Sequence, residues 1–171
     1  MNNNSLTNRI QRLAEYTESR NAQLSKKLSK VDDVKAQKII EREVPEILAL
    51  NFIQLRQCAQ LRNQVTSQGA ELFRQKIPVH PEIVSLLASL EELCKNRIFS
   101  ALNIEHMAQK SGIKITAQIL FEGISRRKLR RLLSDSDLAY FKSLPQDDRI
   151  TVKSFMESFK SIHTGSIRSS R

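Results

Sequence analysis

PEIVSLLASLEELCKNRIFSALNIEHMAQK, residues 81–110, decides the fold class. Ile83, Leu86, Leu87, Leu90, Leu93, Cys94, Ile98, Ala101, Leu102 and Ala108 recur along it at the 3.6-residue period of a helix with one buried stripe. Pro81 suits a first helical position, where the missing N–H costs nothing. Ser111-Gly112 follows, and glycine is the residue that most readily closes a helix C-terminus. A single long amphipathic helix over 81–110 is therefore expected. Its apolar stripe has to be covered by other elements.

The flanking sequence offers helices to cover it. The chain has 171 residues, with only four Gly and four Pro and no Trp, and it is rich in Leu, Ile, Gln, Lys, Arg and Glu. That composition favours an all-α chain, here a helical bundle with a long N-terminal helical arm. The expected organisation is a helical arm over 1–44, a helical core domain over 45–162 and a disordered basic tail over 163–171. In the arm, Ile10, Thr17, Leu24 and Val31 follow a heptad with Leu13 and Val34 at the alternate positions. Arg20 and Lys27 interrupt that seam, so the arm reads as a patchy coiled coil or as a helix lying on the body. Asp32-Asp33 can cap a new helix start. Pro45 is expected to mark a boundary, because proline lacks an N–H and disfavours helical backbone before it.

A second core helix is expected from Glu46 to Ser67, with Phe52, Leu55, Cys58 and Leu61 inside and Arg56 and Arg62 facing water. Gly69 is expected to interrupt it before a short helical piece over Ala70–Lys76. Pro78 and Pro81 require an extended link. Beyond Gly112, Thr116 caps a short apolar helix to Ile124, Ser134 caps another ending before Pro145, and Thr151 caps a last one carrying Val152, Phe155, Met156, Phe159 and Ile162.

Charge is the strongest functional signal. The formal net charge is +10, which favours association with polyanions. Residues 1–100 hold 15 basic and 11 acidic side chains, and residues 101–171 hold 13 and 7. The second segment is thus the more basic for its length. Its cations cluster in ISRRKLRR, 124–131. Lys110, Lys114, Arg126, Arg127, Lys128, Arg130 and Arg131 are the candidate phosphate contacts. Such contacts bind a backbone without reading sequence. Nucleic acid is the expected partner, DNA ahead of RNA. A protein partner or a second copy is expected on the helical faces.

Catalytic and cofactor chemistry has no footing in the sequence. His80, His106 and His163 are scattered, and no GxSxG, HExxH, phosphate-binding glycine loop or dinucleotide fingerprint occurs. Asp135, Asp137, Asp147 and Asp148 lack the spacing and central Gly of a calcium loop and are expected to cap helices. Cys58 and Cys94 make neither a CxxC pair nor a zinc site and read as reduced thiols, which suits an intracellular compartment. No secretory leader is evident at the start, and no apolar run is long enough to span a bilayer. A non-enzyme without cofactor or small-molecule substrate is the expectation, with a helical adaptor subunit as the alternative to nucleic-acid association.

Two family resemblances bear on this. Residues 79–124 resemble a histone fold, with Pro81–Lys110 as the long central helix, Ser111–Ile115 as the second loop and Thr116–Ile124 as the third helix. Thr116 as cap, Leu120 and Phe121 as buried pair, and small Gly123 match that pattern. VHPEIVSLL, 79–87, is similar to the entry of the central helix in histone-fold subunits of transcription complexes. The resemblance implies pairing with a second histone fold. Residues 104–123 also resemble a helix-turn-helix, with Ala108, Gly112 and Ile113 at the turn and Thr116–Gly123 as the second helix. That reading offers Thr116, Gln118 and Glu122 to the bases.

Overall fold

The computed structural model describes residues 3–125, Leu129 and 131–158. Six helices account for most of them: α1 (Asn3–Leu28), α2 (Asp33–Arg74), α3 (Pro81–Lys110), α4 (Ala117–Ile124), α5 (Asp135–Ser143) and α6 (152–158). No strand occurs among the described residues, and Thr116 and Arg149 form one isolated antiparallel bridge. The chain is an all-α helical bundle.

The organising element is α2. Every residue from Glu46 to Leu55 is buried. A helix buried on all sides must be surrounded, so α2 is the axis of the bundle. Leu13 and Leu24 of α1, Ala101, Ile104 and Ala108 of α3, Leu120 and Ile124 of α4, Phe141 of α5 and Phe155 of α6 close around it. Each fully buried aliphatic or aromatic side chain contributes about 1.5–3 kcal/mol. Phe155 stacks on Phe52 with centroids 4.4 Å apart. A satellite cluster of Ile10, Cys58, Leu61, Val65 and Leu90 lies further along α2 and α3.

Helix ends follow the expected local chemistry. Asp32, Thr116 and Ser134 accept from the backbone N–H groups of Lys35, Ile119 and Asp137. Thr151 Oγ1 accepts from the Ser154 N–H at 3.0 Å. His80 caps α3, with Pro81 at its first turn. The far end of α3 closes with Ile113 N–H on Ala108 O and Gly112 N–H on Gln109 O, the chain turning through Gly112 at φ 70°.

Three expectations need correction. Pro45 is not a boundary but lies inside α2. It forfeits the hydrogen bond to Glu41 O, but the chain before and after it is buried on both flanks, and that packing outweighs the local cost. Gly69 does not interrupt α2 either; the helix runs on to Arg74, so the piece expected over Ala70–Lys76 is its last turn. Arg56 does not face water: its Nη1 donates to Asp137 Oδ1 at 2.9 Å and its guanidinium lies 4.7 Å from the Tyr140 ring centre. Arg62 is exposed, as expected. Phe159, Ile162 and the tail 163–171 lie outside the described residues.

Polar groups also tie α1 to the axis. Gln54 Nε2 donates to Ile10 O at 3.1 Å, and Asn51 Nδ2 donates to Asn21 Oδ1 at 3.3 Å. Lys27 and Arg20 pair with Glu43, and Arg20 also with Glu46. On α3, Arg97 is only 2% exposed and donates to Glu18 Oε1 of α1 at 2.6 Å. Burial pushes its pKa down, and Glu18 opposes that shift.

Glu18 is itself 62% exposed. A residue so exposed ordinarily tolerates substitution within about 0.5 kcal/mol. Here Glu18→Ala would strand a buried guanidinium, at an expected cost of about 2–3 kcal/mol. Adding Arg97→Met should recover most of the loss. Chemical denaturation of the two single variants and the double variant checks this; a Glu18→Ala cost below about 0.5 kcal/mol would show the pair to be inert.

Candidate polyanion-binding surface

Three of the seven sequence-selected cations, Lys110, Lys114 and Arg131, fall among the described residues. Lys110 is the last residue of α3 and is exposed. The Schellman turn through Gly112 separates it from Lys114, which is also exposed. Arg131 is exposed in the turn before α5, while its neighbours Leu129 and Leu133 are buried in the main core. The two leucines anchor the segment and leave Arg131 outward. Arg126, Arg127, Lys128 and Arg130 lie outside the described residues. Among the described residues none of Lys110, Lys114 and Arg131 forms an ion pair.

Sequence reasoning missed two further cations here. The Thr116–Arg149 bridge, with Ile150 N–H on Ile115 O at 2.9 Å, draws the 149–151 segment alongside the 113–116 loop. Arg149 therefore sits exposed beside the loop that carries Lys114. Lys142 of α5 sits over the Phe121 ring of α4, with its Nζ 5.2 Å from the centroid. Neither residue lies near the 110–131 cluster in sequence, and no local pattern could reveal the contact.

Acidic groups share this end of the molecule. Glu105 Oε2 accepts the Val152 N–H at 2.6 Å and so serves as the N-terminal anchor of α6. Glu122, Asp147 and Asp148 are exposed.

The exposed face of α4 is narrow. Ala117, Leu120 and Ile124 are buried, and Gly123 lies against the α2 backbone at Pro45–Glu46. Gln118 and Glu122 remain outward and hydrogen-bond each other at 3.3 Å. Among the described residues no group of three or more His, Cys, Asp and Glu converges to hold a metal ion. A pocket of about 180 Å³ opens between Tyr140, Leu144, Ile150 and Phe155, with Arg149 at its rim. That is below the roughly 300–1,000 Å³ of small-molecule sites. No helix of the described residues is long and apolar enough to cross a membrane.

Fold and surface together define an all-α helical bundle that presents Lys110, Lys114 and Arg149 near the end of α3 and Arg131 before α5. Set against family models, curated proteins and solved structures, the chain matches none.

Proposed function

We propose that this chain is a non-enzymatic helical assembly protein that binds the phosphate backbone of nucleic acid, DNA ahead of RNA, through the cations of residues 110–131. One contrast among the described residues carries the reading. Arg20, Lys27, Arg56 and Arg97 are each tied to a carboxylate within the bundle. Lys110, Lys114 and Arg131 stand outward with no such partner. Cations held by internal carboxylates serve the fold, whereas unneutralised outward cations attract an external anion. The turn after α3 and the buried leucines at 129 and 133 give Lys114 and Arg131 fixed points of departure.

Binding should follow the thermodynamics of counterion release. Each duplex phosphate neutralised steepens the dependence of log K on log salt by about 0.9. Fluorescence anisotropy on duplex DNA, duplex RNA and single strands at several salt concentrations measures that slope. Replacing Arg126, Arg127, Arg130 and Arg131 together by alanine is expected to abolish binding at moderate salt. Lys110→Ala/Lys114→Ala should flatten the slope by about one to two. Binding that ignores both salt and these substitutions, or no binding at low salt, overturns the reading.

A second reading rests on a different observation. Phe73 is 79% exposed and Phe99 69% exposed, and Val84 and Leu102 are also outward. Apolar side chains presented along α2 and α3 suit an adaptor whose partner helices cover them. Stable complex formation with a helical protein, together with no affinity for nucleic acid, is the result that selects it.

A further inference from the structure

Cys58 and Cys94 are far apart in the sequence, one on α2 and the other on α3, and both are free thiols. The packing of α3 on α2 brings them together. Cys58 is wholly buried in the satellite cluster with Ile10, Leu61, Val65 and Leu90, and Cys94 packs against that cluster while staying partly open to solvent. Both side chains therefore belong to one apolar cluster between α2 and α3. Cys94 is thus the thiol that a small solute can reach, and Cys58 lies within the same apolar cluster.

We propose that Cys58 and Cys94 form a reversible disulfide site, oxidised by reagents of the peroxide class, that fastens α2 to α3.

The surroundings divide the labour between the sulfurs. The neighbouring Cys58 holds the Cys94 thiol below its usual range, helped by Arg62 and opposed by burial and by Glu91. The neighbouring Cys94, together with burial, pushes the Cys58 thiol up, with Arg97 opposing. Cys94 is the nucleophile, because it is the thiol partly open to solvent and its surroundings favour the thiolate, the reactive form.

The Cys94 sulfur attacks one oxygen of hydrogen peroxide. The O–O bond breaks, hydroxide leaves and takes up a proton as water, and Cys94 becomes a sulfenic acid. The Cys58 sulfur then attacks the Cys94 sulfur. The S–O bond breaks, and the hydroxyl group leaves as a second water with the Cys58 proton. Two thiols and one hydrogen peroxide yield one disulfide and two waters. A dithiol reductant reverses the bond by exchange.

The test uses the reduced full chain with hydrogen peroxide, read by intact mass and by peptide mapping without reduction. The folded wild type is expected to lose two hydrogens, to yield a peptide joining Cys58 to Cys94, and to return to its starting mass with dithiothreitol. Its Tm should rise on oxidation and fall again on reduction. In Cys58→Ala, Cys94 should stop at the sulfenic acid and be captured by dimedone. In Cys94→Ala, Cys58 should stay reduced while circular dichroism shows the helices intact. Wild-type protein that takes dimedone at Cys94 without forming the link overturns the proposal. So does folded wild type that is inert to peroxide, or one that links only between chains. The wild-type result decides the matter even where a cysteine variant fails to fold.

Discussion

Asp137→Ala is expected to lower the stability of the bundle by about 4 kcal/mol. Asp137 is 2% exposed, yet its two oxygens serve four donors. Oδ1 takes Arg56 Nη1 at 2.9 Å, and Oδ2 takes Gln57 Nε2 at 3.0 Å, Ser134 Oγ at 2.8 Å and Ser134 N–H at 3.2 Å. The carboxylate thus closes the capping box of α5 and docks that helix on α2. Its removal leaves the Arg56 guanidinium and the buried Gln57 amide without their acceptor. An uncompensated buried charge typically costs about 3–5 kcal/mol, and loss of the cap about 1 more. Partial exposure of Arg56 and relaxation around it bring the total down. Asp137→Asn keeps the shape but not the charge, and should cost about half as much. Urea unfolding gives the magnitudes, and hydrogen exchange should show α5 losing protection first. A cost under about 1 kcal/mol would mean that α5 is held by its apolar face alone.

Gly123→Ala should destabilise by about 2–3 kcal/mol, although alanine is the better helix former. A Cβ at this position would lie 2.8 Å from the Glu46 nitrogen and 3.0 Å from both Glu46 Cα and the Pro45 carbonyl carbon. All three are backbone atoms of the most buried part of α2, so nothing nearby can turn aside. The α4 helix must retreat as a unit, opening the contacts of Leu120 and Ile124. Gly69 supplies the control. It lies inside α2, and a methyl group added there would meet nothing within 4 Å. Gly69→Ala should therefore stabilise by about 0.5–1 kcal/mol. Thermal and urea unfolding of the two variants should move in opposite directions. Equal effects at both sites would mean that the α2–α4 contact is not tight.

In the sequence α3 is legible because its signals are local and redundant. Nine of its ten expected apolar positions are buried or half-buried, Leu102 facing outward instead, and Pro81 opens the helix and Gly112 closes it. Thr116 and Ser134 announce α4 and α5 in the same way. Pro45 misleads because burial of Glu46–Leu55 on every side outweighs its local cost, and Gly69 misleads because one glycine costs a helix only about 1 kcal/mol. Arg56 misleads because its partner Asp137 is 81 residues away.

At the candidate surface, Lys110, Lys114 and Arg131 stand outward as the charge pattern suggests. Arg149 comes beside the Lys114 loop through a backbone bridge between two loops, which leaves no trace in composition or period. Gly123 is plainly small in the sequence, but only the crossing of α4 over Pro45 explains why it has to be.

The central position of α2 also sets a schedule for synthesis. Its buried middle is translated early, before α3, α4, α5 and α6 exist to enclose it. Phe52 gains its stacking partner Phe155 only when the last described helix emerges. A nascent chain lacking α3 to α6 therefore exposes much of the apolar surface of α2. Completion at the C-terminal side, rather than slow growth from the N-terminus, turns this sequence into a folded bundle, and truncated products invite proteolysis or chaperone capture.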